Sequence, residues 1–362
     1  MRSFLPGRAN AFDHLRLLAA FAVLVQHHYA VTRTLAAWPF LGTVGHTGVE
    51  VFFGISGYLN TRSLLKSRSV SSFLVHRALR IYPALIGCMA FTVLFGCCIS
   101  TLDFADYWNL ETFEYFWRNS GLFFGGRQFL PGVFDNNPTK AINASLWTLP
   151  IEARYYLYLA VALFLFRFHP VVIFALFIVL CGYVVFSRID VAHENNLQRF
   201  GSVFVTGVVL AAVETLWGRW RATGIVTLAA IVIALTGLQS SAASMLLTVA
   251  AVSVGSLSVA DRFRMPIDIS YGFYLYAFPL QQFAVGLGLS FHASLALAVS
   301  MTLVAASISA VLIEKPALGL ARRSTELITA AFAHLRAALR LVRAGGSAVP
   351  ADQPTSSIQR DR

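Results

Sequence analysis

The chain has 362 residues, of which 57% are apolar and only 12% are charged. A soluble globular protein carries about 45–50% apolar and about 25% charged residues, so this composition excludes both a soluble enzyme and a disordered chain. Four cysteines are also too few for a disulfide-stabilised fold. Lys and Arg (28) exceed Asp and Glu (17), and the net charge of +11 fits either a nucleic-acid-binding protein or the topology of a membrane protein.

Apolar runs long enough to cross the hydrocarbon core of a bilayer recur along the chain. Such a span needs about 20 residues. The sequence predicts ten spans, at residues 12–32, 46–65, 80–101, 146–167, 170–187, 200–217, 222–238, 242–259, 268–290 and 293–314. We therefore predict an all-α fold, a polytopic membrane bundle of about ten transmembrane helices. An even number of spans places both termini on the same side.

The positions of Lys and Arg predict which side that is. With the N-terminus in the cytoplasm, the inner loops and the tail contain most of the positive charge, including Arg62, Lys66, Arg68, Arg77, Arg167, Arg219, Arg221, Arg262, Arg264, Arg322 and Arg323. The outer loops at 239–241 and 291–292 contain no Lys or Arg. Because cytoplasmic loops are enriched in positive charge, both termini are predicted to be cytoplasmic. The positive excess then reflects topology, and we expect no nucleic-acid partner.

Three regions complete the predicted organisation. Residues 1–318 form one membrane-embedded unit that includes a long outer loop at 102–145, rich in aromatic residues. Residues 319–343 place apolar side chains on one helical face and arginines largely elsewhere, a pattern typical of a basic amphipathic helix on the inner leaflet. The composition of residues 344–362 predicts a disordered tail.

Ionisable residues inside the spans are the first candidates for function, because charge in a bilayer is costly. Arg16 and His27 are eleven residues apart on the first span, so they share one face and differ in depth by about 16 Å. Glu50 opens the second span, and Glu152 lies inside the fourth. His28 points roughly 100° away from His27.

Arg77 and Arg80 lie at the inner mouth, just before the third predicted span. Arginine binds phosphate groups bidentately, and histidine is the usual general base near neutral pH. This arrangement suits the transfer of a group across the bundle. The arginine pair would bind a phosphorylated donor at the inner face, and the histidine deep in the first span would act as the base. The aromatic outer loop would cover the acceptor.

Each of these residues also has a structural interpretation. The intramembrane histidine can form a hydrogen bond between helices, and the arginine pair can anchor a helix end. Glu152 can form an ion pair with Arg154 or Arg16. Two alternatives to an enzyme follow, a proton-coupled transporter of a glycan or small anionic solute and a structural subunit of a glycan-export assembly. The charges crowd into spans 1–4, which argues against the two equivalent halves of many transporters.

Four motifs in this order resemble acyltransferase family 3, the multi-spanning bacterial membrane O-acyltransferases that modify polysaccharides and other glycans. They lie at residues 12–27 (an Arg-x10-His helix), 48–58 (Gly-Val-x-x-Phe-Phe-x-x-Ser-Gly), 77–83 (Arg-x-x-Arg followed by Ile-Tyr-Pro) and 146–152 (Leu-Trp-Thr-Leu-Pro-Ile-Glu). Weaker similarity follows at 270–275 and 313–316. Members often have a histidine before the proline of a later motif, but here the stretch reads Ala277-Phe278-Pro279.

The resemblance implies an acyl-CoA donor, usually acetyl-CoA, that acts as a substrate, with no bound cofactor or metal. It implies a sugar hydroxyl of an extracytoplasmic or lipid-linked glycan as the acceptor, and a location in the bacterial inner membrane. It assigns His27 as the catalytic base with Arg16 and Glu152 beside it, Arg77 and Arg80 to the donor, and further site positions to Glu50, Ser56, Tyr82 and Trp147. We expect Glu152 or Glu50 to orient the other ring nitrogen of His27. It leaves open the acceptor, the length of the acyl group, an acyl-protein intermediate and a partner protein in polysaccharide assembly.

Overall fold

The computed structural model describes residues 10–36, 38–166, 169–187, 196–259, 263 and 265–320. This part of the chain is helical and contains no regular strand, so the predicted all-α fold is confirmed. The predicted disordered tail, 344–362, lies outside the described residues. So does the predicted amphipathic helix, 319–343, apart from its first two positions.

The described residues form the helices α1 (Phe12–Thr32), α2 (Val44–Ser67), α3 (Val70–Ile99), α4 (Phe104–Tyr107), α5 (Leu110–Ser120), α6 (Thr148–Leu165), α7 (Pro170–Ser187), α8 (Asn196–Trp217), α9 (Arg219–Leu235), α10 (Gln239–Gly255), α11 (Ser270–Gly286) and α12 (Phe291–Ser309). Short 3-10 helices lie at Pro39–Gly42 and Ala144–Trp147. A π-helical turn, Ala310–Glu314, continues α12.

Five of the described helical stretches are long and apolar enough to cross a membrane: Val70–Ile99, Ala144–Leu165, Pro170–Ser187, Asn196–Trp217 and Phe291–Leu320. Their length and hydropathy are those of a membrane protein. Helices also occupy the other five predicted spans, but these are shorter or more polar. The count of ten spans and the cytoplasmic position of both termini therefore stay predictions.

The third helix begins well before the predicted span. The predicted span starts at residue 80, whereas α3 begins at Val70, where the side chain of Ser69 caps it by accepting a hydrogen bond from the Ser72 backbone N–H at 3.3 Å. Arg77 and Arg80, predicted to precede the span, therefore lie within α3 itself. They are three residues apart and hence on one face. The predicted span began too late because polar residues, from Ser71 to Arg80, interrupt the apolar pattern in the first turns of α3.

The segment 102–145, predicted to be an outer loop, is more ordered than a loop. It contains α4 and α5, and two of its aromatic residues are fully buried: Tyr107, whose hydroxyl donates to the Val93 carbonyl at 2.7 Å, and Tyr115. Others remain exposed, namely Phe104, Phe113, Trp117, Phe123, Phe124 and Phe129. The segment is thus fastened to α3 by buried aromatic side chains while it presents a second aromatic set outward.

The closest helix contact that glycines permit lies between α2 and α8. A Cβ atom on Gly57 would collide with the backbone carbonyl of Phe204, and one on Gly207 would collide with the backbone carbonyl of Gly54. Small residues let helix backbones approach in this way inside membranes, where lipid supplies no hydrophobic drive for association. This contact fixes the position of α2 against α8.

We predict that Gly57→Ala destabilises the protein, by about 1–3 kcal/mol, because the added methyl group meets rigid backbone. The midpoint of thermal unfolding of the detergent-solubilised protein should fall. The matched control is Gly182→Ala in α7, where a Cβ would meet nothing within 4 Å. Alanine favours a helix by about 1 kcal/mol over glycine, so this control should be neutral or stabilising. Equal midpoints for the two variants would contradict the close α2–α8 contact.

Candidate active site

A cavity of about 320 Å³ lies among α1, α2, α3, α6 and α11. Its walls combine apolar side chains with an unusual number of charged and polar ones, namely Arg16, Ser56, Asn60, His76, Arg77, Arg80, Glu152, Tyr156, Asp268, Ser270, Tyr271 and Tyr274. A concave, mostly apolar site with a few converging polar groups is the usual form of a small-molecule binding site. Five of the residues predicted from the sequence line it: Arg16, Ser56, Arg77, Arg80 and Glu152.

Arg80 is held by two carboxylates. Its Nη2 lies 2.5 Å from Oδ2 of Asp268, and its Nη1 lies 3.2 Å from Oε2 of Glu314. Glu314 is the last residue of the π-helical turn after α12 and is 3% exposed. The charge of Arg80 is therefore neutralised within the protein, and this pairing joins α3 to the C-terminal end of α12.

Arg77, on the same face of α3, is in a different environment. Its guanidinium packs over the rings of Phe73 and Tyr156, with its central carbon 5.7 and 5.8 Å from their centres. Its buried Nε has no hydrogen-bond partner among the described residues. A buried guanidinium N–H without a partner is costly, and it is satisfied when an anionic ligand accepts from it. Of the two arginines, Arg77 is thus the one with donor capacity left for a ligand.

Asp268 connects Arg80 to Arg16. The Nη1 of Arg16 lies 3.7 Å from Oδ2 of Asp268 and 3.4 Å from Oδ1 of Asp13. The hydroxyl and backbone N–H of Ser270 donate to the other oxygen of Asp268, at 2.6 and 3.0 Å. The Asp268 carboxylate is therefore surrounded by two guanidinium groups and two donors of Ser270, which together compensate its charge.

Glu152 is the centre of a hydrogen-bonded group on the opposite wall. Its Oε1 accepts from the hydroxyl of Ser56 at 3.2 Å and from the hydroxyl of Tyr156. The hydroxyl oxygen of Ser56 lies 2.8 Å from that of Tyr156 and accepts from Nδ2 of Asn60 at 3.0 Å. Since the Tyr156 ring also carries the guanidinium of Arg77, Glu152 is coupled to the arginine through Tyr156.

His27 does not line this cavity. Its ring contacts Phe278 edge-on, with the ring centres 5.3 Å apart, and it forms no hydrogen bond with Glu50, Glu152 or any other described residue. Arg16 lies at the cavity, eleven residues earlier on α1, about 16 Å away along the helix. The structure thus separates the histidine from the two acidic residues that we considered as partners for its second nitrogen.

The gap between the cavity and His27 is short on the side of α11. Tyr274 lines the cavity, and its hydroxyl is fixed by Thr148 at 2.6 Å and by the Ser145 carbonyl at 2.5 Å. Phe278, which contacts His27, lies one turn further along the same helix. One turn of α11 thus connects a residue of the cavity wall to the residue that contacts His27.

The neighbouring His28 has a structural environment. It is fully buried, and its Nε2 lies 3.0 Å from the hydroxyl of Ser294 and 3.2 Å from the carbonyl of Phe291, both on α12. These contacts fasten α1 to α12. They agree with the angle of roughly 100° that helical geometry places between His27 and His28.

The remaining predicted positions lie outside the main cavity. Glu50 is buried and accepts from Nε of Arg199 at 2.7 Å and from Ser244 at 3.4 Å, so it links α2 to α8 and α10. Tyr82 is partly buried and packs against the hydrophobic core. Trp147 is 38% exposed and lines a second, smaller cavity. Among the described residues, no three His, Cys, Asp or Glu side chains lie together as a metal site would need.

Sequence reasoning missed Asp268 as a site residue and gave Glu314 no role. Asp268 follows the sequence motifs of the first four spans by more than 100 residues and is a single acidic residue at a predicted span end. Glu314 stands in the weakly similar stretch 313–316, and its position inside a predicted span was the available signal. No sequence pattern around Asp268 or Glu314 indicates that Arg80 is the partner.

Comparisons with known proteins match the region of the chain that contains the four motifs. A family model described as an acyltransferase domain matches residues 9–314. The chain is 32% identical over 330 residues to an O-acetyl transferase of Shigella phage Sf6, an alignment that covers 85% of this chain and 96% of the relative. It is 31% identical over 171 residues to nodulation protein 10 of Rhizobium leguminosarum bv. viciae, covering 44% of this chain and 46% of that protein.

No solved structure matches the chain. The family model covers most of the sequence, including both arginines of α3, His27 and Glu314, and the phage relative aligns over nearly its whole length. These matches favour an enzyme over the transporter and the structural subunit that the charges alone left open. The chain therefore belongs to acyltransferase family 3 and is an acyltransferase of the membrane-embedded type.

Proposed function

We propose that the protein transfers an acetyl group from acetyl-CoA, bound at the arginine-lined cavity, to a sugar hydroxyl near His27. The observation that carries the proposal is that α1 places Arg16 and His27 at different depths, with only Arg16 at the cavity. Arg16 lies at the cavity with Arg77 and Arg80, and His27 lies about 16 Å further along the same helix. An extended pantetheine arm has a comparable length, so a coenzyme whose phosphates bind the arginines presents its thioester near the histidine.

The donor end is supported by charge. Arg80 is satisfied by Asp268 and Glu314, whereas Arg77 has an unused buried donor. We assign phosphate binding chiefly to Arg77, with Arg80 as the fixed neighbour that holds the cavity in shape. Glu152 then serves the donor: it holds Tyr156, and the ring of Tyr156 supports the Arg77 guanidinium.

The reaction itself requires a base at the acceptor. The acceptor hydroxyl attacks the carbonyl carbon of the thioester, and His27 takes the hydroxyl proton. The C–S bond breaks, an ester forms, and coenzyme A leaves as a thiolate that takes up a proton. In this proposal His27 works without a carboxylate partner, since neither Glu50 nor Glu152 bonds to it. The acetyl group is supported by the name of the phage relative, an O-acetyl transferase.

The membrane placement follows from the loops. We propose that the helices form ten spans in the bacterial inner membrane, with both termini and the arginine end of the cavity facing the cytoplasm. The concentration of Lys and Arg in the loops on that side supports this orientation. Acetyl-CoA would then enter from the cytoplasm, and the glycan would be modified at the opposite face.

The first test concerns His27. We predict that His27→Ala lowers transfer of the labelled acetyl group from acetyl-CoA to glycan in membrane vesicles by about 100-fold or more, because the variant lacks the general base. The amount of protein in the membrane should be unchanged. His292→Ala is the matched control, since His292 is exposed at the same end of the bundle. Acetylation retained at the wild-type rate in His27→Ala would remove the histidine from the mechanism.

The second test separates the two arginines of α3. We predict that Arg77→Ala raises the KM for acetyl-CoA by about 10- to 100-fold, the loss expected for a charge-assisted hydrogen bond to an ionised ligand. The variant should keep its thermal stability. Arg80→Ala should instead lower stability, because it leaves the carboxylates of Asp268 and Glu314 buried without their shared cation.

Steady-state kinetics and thermal unfolding of the purified variants measure both effects. Arg154→Ala on α6 is the control, since this arginine is exposed and lies outside the cavity. An unchanged KM in Arg77→Ala, with wild-type stability in Arg80→Ala, would mean that neither arginine has the assigned role.

A further inference from the structure

A second cavity, of about 100 Å³, lies between the outer segment and the start of α6. The polar and aromatic side chains on its walls are Arg118, Asn119, Arg127, Gln128, Asn143 and Trp147. It is smaller than the main cavity and is suited to a fragment of a ligand. The resemblance includes Trp147 among its site positions, but neither the motifs nor the family match assigns this cavity a ligand.

The walls of this cavity are held in place by backbone hydrogen bonds. Nδ2 of Asn119 donates to the carbonyls of Tyr115 and Arg127, at 2.8 and 2.9 Å, and so closes the loop between them. The N–H of Ile142 donates to the carbonyl of Gln128 at 2.7 Å. Leu122, on the cavity wall, has a φ of 50°, which is uncommon for a residue with a side chain. Strained backbone of this kind concentrates at functional sites.

Several groups on the walls have capacity left for a ligand. The buried Nε of Arg118 has no hydrogen-bond partner among the described residues, because Glu114 Oε2 is 3.9 Å away. The structure gives the side-chain amide of Gln128 no partner in the described part of the chain either, and this residue is exposed. Trp147 contacts Phe200, with the ring centres 5.8 Å apart, and is 38% exposed.

An exposed indole next to amide and guanidinium groups matches the chemistry of a sugar ring. The apolar C–H face of a pyranose packs on an aromatic surface, and its hydroxyls both donate and accept hydrogen bonds. An amide both donates and accepts, and a guanidinium donates. A phosphate or a lipid chain would use only part of this set.

The second cavity is next to the region of His27. Asn143 and Ala144 line the cavity, and Ala141 and Ala144 belong to the cluster that contains Val31 and Phe278. Phe278 is the residue that contacts His27. The short segment 141–144 therefore touches the second cavity and the surroundings of the catalytic candidate, at the end of the bundle where α1 ends.

We infer that the second cavity is a subsite for a sugar ring of the acceptor, neighbouring the sugar whose hydroxyl is acetylated at His27. This inference rests on the proposed function. Such a subsite makes the rate depend on the length of the acceptor. An oligosaccharide fills both the site at His27 and the second cavity, whereas a monosaccharide fills only the site at His27. Trp147 then acts in acceptor binding and has no part in the chemical step.

The test compares acceptor lengths. Purified protein in nanodiscs is given labelled acetyl-CoA with methyl glycosides of rhamnose, glucose, galactose and N-acetylglucosamine, and with tetrasaccharides of the same sugars. For each variant the ratio of kcat/KM for the tetrasaccharide to that for the monosaccharide is measured. We expect Trp147→Ala to lower this ratio about tenfold, as for the loss of one well-placed contact. Gln128→Ala should lower it in the same direction.

Phe113→Ala is the matched control, because Phe113 is 55% exposed on the same segment but does not line the cavity. Its ratio should equal that of the wild type. An unchanged ratio in both Trp147→Ala and Gln128→Ala, or an equal loss on both acceptor lengths, would overturn the inference. A wild-type protein that acetylates none of the acceptors would count against the proposed function itself, so the two failures are distinguishable.

Discussion

Charge inside an apolar bundle has to be paired, and Asp268 is where this protein meets that requirement. Its carboxylate lies 2.5 Å from Arg80 and 3.7 Å from Arg16, and Ser270 satisfies its other oxygen. Arg80 in turn reaches Glu314, so α1, α3, α12 and the segment before α11 meet at one ionic cluster. Glu314 is buried and the other three members are partly buried, so removing one of them leaves a charge poorly compensated. Arg16, Arg80 and Asp268 also line the cavity, so the cluster forms part of its wall.

The same requirement explains why Arg77 is the better candidate for ligand binding. Two arginines on one helical face would repel each other unless anions lie nearby. The protein supplies carboxylates for one of them and aromatic rings for the other. An aromatic face is a weaker partner than a carboxylate, so the second arginine keeps hydrogen-bonding capacity for a ligand anion. Tyr156, fixed by Glu152, partly compensates the charge of Arg77.

The second organising contact is the close approach of α2 and α8 at Gly54, Gly57 and Gly207. It brings Phe53 and Phe200 into a parallel stack, with ring centres 5.0 Å apart, and leaves Ser56 directed to the cavity and Glu152. The glycines of the second motif are thus packing residues, and the serine between them is the polar one. Motif residues that look equivalent in the sequence have different roles because they lie on different faces of one helix.

Apolar run length determined much of the architecture in advance, since every span must be long enough to cross the bilayer and to satisfy its own backbone hydrogen bonds. The helical fold and the choice of Arg16, Arg77, Arg80 and Glu152 as site residues were available from the sequence, because intramembrane charge is rare, whereas Ser56 came from the family resemblance. The start of α3 was not available, since polar residues interrupt the apolar pattern of its first turns.

What the tertiary structure alone decided is which of these charges meet. From the sequence we expected Glu152 or Glu50 to be a partner of His27. In the structure Glu152 accepts hydrogen bonds from Ser56 and Tyr156, and Glu50 accepts one from Arg199. It also brought Asp268 and Glu314 to Arg80, from positions 188 and 234 residues away along the chain. Run length and charge depend on neighbouring residues and can be read from the sequence. Pairing depends on how the helices are arranged around one another, which no local pattern encodes.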